Sequence, residues 1–319
     1  MIDLVVPMVF PQDLEWQELY ARYKGNGRAA MRHVRYRSWG TEELLVRCCM
    51  KYLPWLRRIY ILLAQESQKK SLPLPPPVEG VKGPEIEIVY HRDFIPEKYL
   101  PCFSSPCIEM FLHRIPGLSE HFIYANDDMF PLSPMREEDF FQPAAPSNSP
   151  GEAPSDSPGG GENGVLACLH FKEAVFPAKP SMFERKCMYQ LNMIGAPFGK
   201  HYSKTWIETG HSFAPILKSS CQEVWRRHGE EIIRYLSPLK RNDRSYNHYI
   251  YLLYQYFAGL SVDHAPRMQY IGKKTPTAQL PAILLDPHAG IVCLNDNEDI
   301  ADWERRAKVV RSSLQGKAE

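Results

Sequence analysis

The sequence has no Cys-x-x-Cys pair and no cysteine or histidine spacing of the kind that holds a structural metal. That excludes zinc-ribbon and thioredoxin-type motifs. Its eight cysteines, at positions 48, 49, 102, 107, 168, 187, 221 and 293, are expected as reduced, mainly buried thiols in a chain of 319 residues. No run of about 18 apolar residues occurs, so no membrane-spanning helix is expected. No basic stretch with a long apolar one precedes Ile2-Asp3-Leu4-Val5-Val6. No signal peptide is recognised on that ground, and a cytoplasmic protein is expected. Excess charge is missing as well. Lys and Arg number 38 against 37 Asp and Glu, a net charge of +1, which gives no global attraction to nucleic acid or a membrane surface. Residues 143–164 (PAAPSNSPGEAPSDSPGGGENG) lack any aromatic residue and any Val, Ile or Leu. They cannot bury enough surface to order themselves and are expected to form a flexible insertion, a spacer rather than a lid.

The rest of the chain is rich in core-forming residues, 44% apolar and 12% aromatic, enough for one large domain or two small ones. Residues 1–9 (MIDLVVPMV) read as a buried parallel strand. Residues 41–53 carry apolar positions at helical spacing behind Thr41. Strands are expected at 57–63, 86–90 and 121–125, with a Pro-rich loop (LPLPPPVEG) before the second of these and a helix at 105–114. This alternation predicts a doubly wound α/β sheet, with its ligand beyond the C-terminal ends of the strands. Helices are expected at 181–193, 216–235, 246–258 and 298–314. The aromatic one (YNHYIYLLYQYFA) reads as a core helix in preference to a sugar platform. Three parts follow: an α/β core over 1–142, the insertion over 143–164, and a helical lobe over 165–319 completing the same domain.

Four polar features can carry chemistry. Asn126-Asp127-Asp128 ends the strand FIYA. Adjacent carboxylates repel, and a divalent cation holding a diphosphate is one compensation. An Asx-type turn accounts for the triplet equally well. Between Glu18 and Glu42 lie six cations and no acid: Arg22, Lys24, Arg28, Arg32, Arg35 and Arg37. Arg35 and Arg37, just before the helix at 41–53, can grip a pyrophosphate bidentately; a solvated loop is the plainer reading. His211, in Thr209-Gly-His-Ser-Phe, suits a general base or a phosphate ligand, though a lone histidine is more often structural. Leu239-Lys-Arg-Asn-Asp243 is a polar cluster that either completes a phosphate site or caps the next helix.

Taken in order, these pieces resemble the Stealth family of sugar-phosphate transferases, which includes capsule polymerases and the N-acetylglucosamine-1-phosphotransferase that marks lysosomal enzymes. Ile2-Asp3 with Asp13-Leu-Glu-Trp16 is similar to the family's first region. The second and most specific covers Lys51-Tyr-Leu-Pro-Trp-Leu-Arg-Arg-Ile-Tyr60, His91-Arg-Asp93, Ile95-Pro96, Leu112 through Phe130 and Glu138-Asp-Phe-Phe141. His211 to Lys218 with Arg241 to Tyr256 resembles the third, and Ile291-Val-Cys-Leu-Asn-Asp296 the fourth. The resemblance implies a Rossmann-like, GT-A-like core that binds a nucleotide sugar such as UDP-GlcNAc. The implied reaction moves hexose- or N-acetylhexosamine-1-phosphate from a UDP-sugar to a carbohydrate hydroxyl, releasing UMP, in capsular or cell-surface polysaccharide biosynthesis. Asn126, Asp127 and Asp128 would then place the diphosphate and its Mg²⁺, with Mn²⁺ as the alternative ion, and Asp127 and Asp128 would be the metal ligands. Arg47, Arg114, His211 and Arg241 would contact phosphate or transfer protons, with His91, Asp243 and Asn247 as further site positions. Implied partners are the donor, the carbohydrate acceptor and, peripherally, membrane-bound capsule machinery at the inner face; nucleic acid is not among them.

Two departures stand out. The family's first strand typically ends in Trp-Val-Asp/Asn-Gly, whereas Met8-Val9-Phe10-Pro11 stands here. The spacing of Asp243 and Asn247 also differs from the family's acid and Asn. Two rival readings follow: a conventional glycosyltransferase releasing UDP, and a non-catalytic carbohydrate-binding paralogue.

Overall fold

The computed structural model describes residues 1–25, 36–72, 74, 83–144, 164–240, 244–264, 266–296 and 302–319. Most of the 143–164 insertion therefore lies outside the described residues. In chain order the strands are β1 (Ile2–Pro7), β2 (Arg58–Leu63), β3 (Glu85–Tyr90), β4 (His121–Tyr124), β5 (Met129–Pro131), β6 (Phe141–Pro143), β7 (Val165–Leu169), β8 (Phe171–Val175), β9 (Thr205–Thr209), β10 (Ala214–Leu217), β11 (Ser261–Asp263), β12 (Met268–Ile271) and β13 (Ile291–Leu294).

The main sheet has the order β10-β4-β1-β2-β3. β1 pairs in parallel with β2, with Leu4 opposite Ile59, and with β4, with Leu4 opposite Ile123. β1 and β2 are covered on both faces, which is why each reads as a continuous apolar run without alternation. The chain leaves β1 toward β2 and β3 on one side, then returns to place β4 on the other. Strand order thus reverses between β1 and β4, and a crevice opens beyond their C-terminal ends. The α/β class expected from the sequence is the class observed.

Residues 165–319 contribute more than helices. β10 closes the main sheet antiparallel to β4, β7 pairs with β6 and β11, and β13 lies between β12 and β5. The helix expected from residue 216 begins at Lys218, because Ala214–Leu217 is pulled into extended pairing with β4. The aromatic helix Tyr249–Phe257 packs in the core, as expected, with Tyr251 and Tyr254 buried. Its Gln255 seals the edge of β10: the side-chain carbonyl accepts from Leu217 N at 2.8 Å and the amide donates to Pro215 O at 3.2 Å. All eight cysteines are buried and unpaired with one another. Among the described residues no helix is long and apolar enough to cross a membrane.

At the opposite end of the sheet from the crevice, buried Asp3 accepts from Arg57 Nε at 2.8 Å and Nη2 at 2.5 Å, and from the backbone N and hydroxyl of Ser119 at 2.7 and 2.5 Å. This ties the starts of β1, β2 and β4 together and gives Asp3 a structural task. Truncating one partner of such a pair leaves the other uncompensated, so Asp3→Ala should cost about 3–5 kcal/mol in urea unfolding. A loss under about 1 kcal/mol would show that the clamp contributes little to the fold.

Candidate active site

Beyond the ends of β1 and β4 lies a cleft of about 690 Å³. β4 stops because Asn126, Asp127 and Asp128 form a turn, with Met129 N donating to Asn126 O at 3.2 Å before β5 starts. The turn reading and the site reading of the triplet describe the same feature, since all three residues line the cleft. Asn126 is held by the Tyr124 hydroxyl, 3.2 Å from its Oδ1. Further lining comes from Tyr36 to Trp39, Thr41 and Glu42, at and ahead of the start of the helix Glu42–Tyr52. Asn295 and Asp296 after β13, and Asn247 to Tyr249 at the head of the aromatic helix, complete the lining.

The acidic side is electrostatically strained. Burial, the neighbouring Asp128 carboxylate and Glu42 push the Asp127 carboxyl up to about 8. Burial pushes Asp128 up to about 7, reinforced by Asp296 and partly offset by its backbone hydrogen bond and by the Cys293 thiol. Asp128 Oδ1 is buried without a hydrogen-bond partner, as are His91 Nδ1 and Asn247 Oδ1, all on residues of this one cleft. These three are among eleven such atoms in the described residues, and at the cleft they are available to a ligand. One donor atom each from Asp128, His211 and Cys293 lies within 4.8 Å of the other two. Burial pulls the His211 imidazole down to about 4, which leaves it neutral and able to ligate. Burial and the two aspartates push the Cys293 thiol far up, so it stays protonated.

Asp127, Asp128, Asn126, His91, His211, Asn247 and Arg37 are brought to the cleft. Arg37, however, is committed: it forks onto Asp296 at 2.8 and 2.5 Å and lies 3.7 Å above the Trp303 ring. It fixes the cleft wall and is not left to grip a pyrophosphate. Arg47 and Arg114 are not brought there. Arg47 bonds Glu43 one helical turn away at 2.8 and 2.6 Å, and Arg114 is exposed after the short turn that ends the helix Ser105–Met110. Neither lines the cleft, because spacing along a chain does not fix which face of a helix or turn a side chain occupies. Arg35, Arg241 and Asp243 lie outside the described residues. Burial lowers His91 to about 4, so it serves the cleft as a neutral ring. Phe10 is 1% exposed and turned into the core, while Met8 and Val9 line the cleft in its stead.

Glu109, Lys186, His248, Tyr249 and Tyr270 also line the cleft and were not singled out by the sequence. His248 and Tyr249 fall within the Arg241–Tyr256 stretch that resembles the family's third region, but no role is expected of them there, and Glu109 and His248 stand 139 residues apart and meet only on folding.

Fold and site together define an α/β protein with an acidic, ligand-ready cleft at the strand-order reversal. Residues 35–148 match the family model described as Stealth protein CR2, conserved region 2. The chain is similar to the capsular polysaccharide phosphotransferase LcbA of Aeromonas hydrophila, 27% identical over 92% of this chain and 78% of the relative. It is also similar to the exopolysaccharide phosphotransferase cps2G of Lactiplantibacillus plantarum, 26% identical over 99% of this chain and 94% of the relative. A solved structure of the galactosyltransferase LgtC with donor and acceptor sugar analogs superposes with a TM-score of 0.40 at 11% identity, covering 99% of each chain. The resemblance to Stealth proteins is thereby borne out, and with it the reading of this chain as an enzyme of the transferase class.

Proposed function

We propose that this protein transfers sugar-1-phosphate from a UDP-sugar to a carbohydrate hydroxyl, with release of UMP, in the building of a cell-surface polysaccharide. The single observation that carries the reading is the half-buried pair Asp127 and Asp128, held at raised proton affinity at the reversal point, in a chain whose relatives are named as polysaccharide phosphotransferases. Two carboxylates and the unsatisfied Asp128 Oδ1 fit a hard divalent cation such as Mg²⁺ or Mn²⁺. Asp127 and Asp128 would hold it, with His211 beside them. Protonated Cys293 stays a hydrogen-bond donor to Asp128, because a hard ion has no preference for sulfur. When bound, such an ion supplies charge neutralisation for a diphosphate. Asn126, His91 and Asn247, which line the cleft, would orient the donor. In phosphoryl transfer the protein mainly positions groups and offsets charge, which suits this inventory.

At the cleft, Phe183 is 47% exposed and Tyr270 is 51% exposed, and both line it. Flat apolar rings at a wet rim suit the faces of an acceptor sugar. Phe183→Ala with Tyr270→Ala should raise the acceptor KM about tenfold and leave the donor KM within about twofold; equal effects on both would detach the rim from the acceptor.

The experiment that decides the function incubates the protein with Mg²⁺, a panel of UDP-sugars and acceptor oligosaccharides, and identifies the released nucleotide. UMP supports the proposal. UDP alone replaces it with ordinary glycosyl transfer, and no nucleotide from any donor favours a binding paralogue.

A further inference from the structure

Glu109 and His248 form a carboxylate–imidazole pair in the wall of the cleft, apart from the acidic triplet. Glu109, on the helix Ser105–Met110, is 5% exposed; His248, which leads into the helix Tyr249–Phe257, is 6% exposed. Glu109 Oε2 lies 2.8 Å from His248 Nδ1 and accepts from the His248 backbone nitrogen at 2.8 Å. An ionised carboxylate only accepts, so the proton of a neutral His248 ring is assigned to Nδ1. That leaves Nε2 for the cleft, which His248 lines. The ring is further held by Tyr124 and Tyr249, each with its centroid 4.7 Å away. Burial opposes charge on Glu109, but His248 when protonated, its hydrogen bonds to the carboxylate and Lys186 beyond outweigh it and hold the carboxyl down at about 2.

The geometry points to His248 as the proton acceptor for the attacking carbohydrate hydroxyl, with Glu109 as the residue that positions it. His211, the rival imidazole, lies among Asp128 and Cys293 on the cation side, and its Nδ1 faces the Tyr249 hydroxyl at 3.4 Å instead of a carboxylate. Base and orienting carboxylate, in the order needed to fix a tautomer and to stabilise the imidazolium that forms, occur together only at His248 among the described histidines that line the cleft. The inference rests on the transfer proposed above. The acceptor O–H gives its proton to Nε2, and the oxygen's electron pair forms the new O–P bond at the β-phosphorus. The bond from that phosphorus to the bridging oxygen breaks, and its pair leaves with UMP. The groups facing His248 are Glu109, His211, Tyr124 and Tyr249, with Lys186 acting on Glu109.

The test uses the full chain with Mg²⁺, the UDP-sugar panel and acceptor oligosaccharides. H248Q should lower kcat about 10²–10⁴-fold while leaving both KM values within about threefold, and should abolish the acidic limb of the pH–rate profile. E109Q should lower kcat and displace that limb, and E109D should recover part of the loss. Ring ¹⁵N NMR should find the Nδ1–H tautomer of His248 in the wild type and lose it in E109Q. H248N serves in place of H248Q if near-ultraviolet circular dichroism shows the latter misfolded. Turnover within threefold of wild type with an unchanged acidic limb overturns the inference, as does an Nε2–H tautomer in the wild type. Release of UDP with H248Q still impaired overturns phosphoryl transfer but keeps the pair, because either reaction needs the hydroxyl proton removed. The nucleotide and the variants therefore fail separately.

Discussion

Replacing Asp127 and Asp128 together by Asn should abolish turnover, by at least about 10³-fold, and at the same time stabilise the metal-free protein at pH 8. The two effects have one cause. Two carboxylates drawn out of water into a cleft wall cost stability when ionised: burial, then the neighbouring Asp128 and Glu42, pushes Asp127 to about 8, and burial, with Asp296, pushes Asp128 to about 7. Asparagine keeps the shape and removes the charge. It also removes what a divalent cation and a donor diphosphate need, and phosphoryl transfer depends heavily on neutralising phosphate charge. The measurement pairs nucleotide release with urea unfolding in EDTA. Unchanged turnover would separate the triplet from the chemistry. A less stable double variant would show that the site is held by contacts that these charges do not oppose.

The second large effect is on pH dependence. An unfolded Asp titrates near 3.9, whereas these two hold their protons to about 7 and about 8 when folded. Between those limits the folded state binds more protons than the unfolded one, so the slope of unfolding free energy with pH is negative. Metal-free stability should therefore fall as pH rises from about 4 to about 8 and level off above that. The expected loss is several kcal/mol, smaller than the two shifts added at face value because solvent reaches both carboxyls. A bound cation must displace those protons, so its affinity should tighten over the same range, and Mg²⁺ at 100 times its Kd should return about 2.7 kcal/mol. Thermal melts from pH 5 to 9, with EDTA and with Mg²⁺, check both limbs. A Mg²⁺ stabilisation equally large at pH 5 and pH 8 would mean that the ion does not sit on these carboxylates.

Much of this was legible in the chain. Ile2–Pro7 and Arg58–Leu63 announced a sheet covered on both faces because both run apolar without alternation. The triplet announced a strand end because three short polar residues follow four that pack. Local signals of this kind survive folding, since they arise from each residue's own neighbours. The strand Ala214–Leu217 was hidden inside an expected helix because its apolar run fits either period, and only an open edge at β4 decides for extension. The partners of the arginines were hidden for a related reason. Arg37 is turned by Asp296, 259 positions away, and Arg47 by Glu43 on its own helix.

By itself the sequence determined the α/β class, the apolar strands and the position of the acidic triplet, because run length, periodicity and neighbouring charge are properties of short segments. Tertiary structure alone decided which imidazole stands beside a carboxylate, which cations reach the cleft and how far Asp127 and Asp128 resist ionisation. Those depend on distance and burial, and both are set by segments that meet only when the sheet closes.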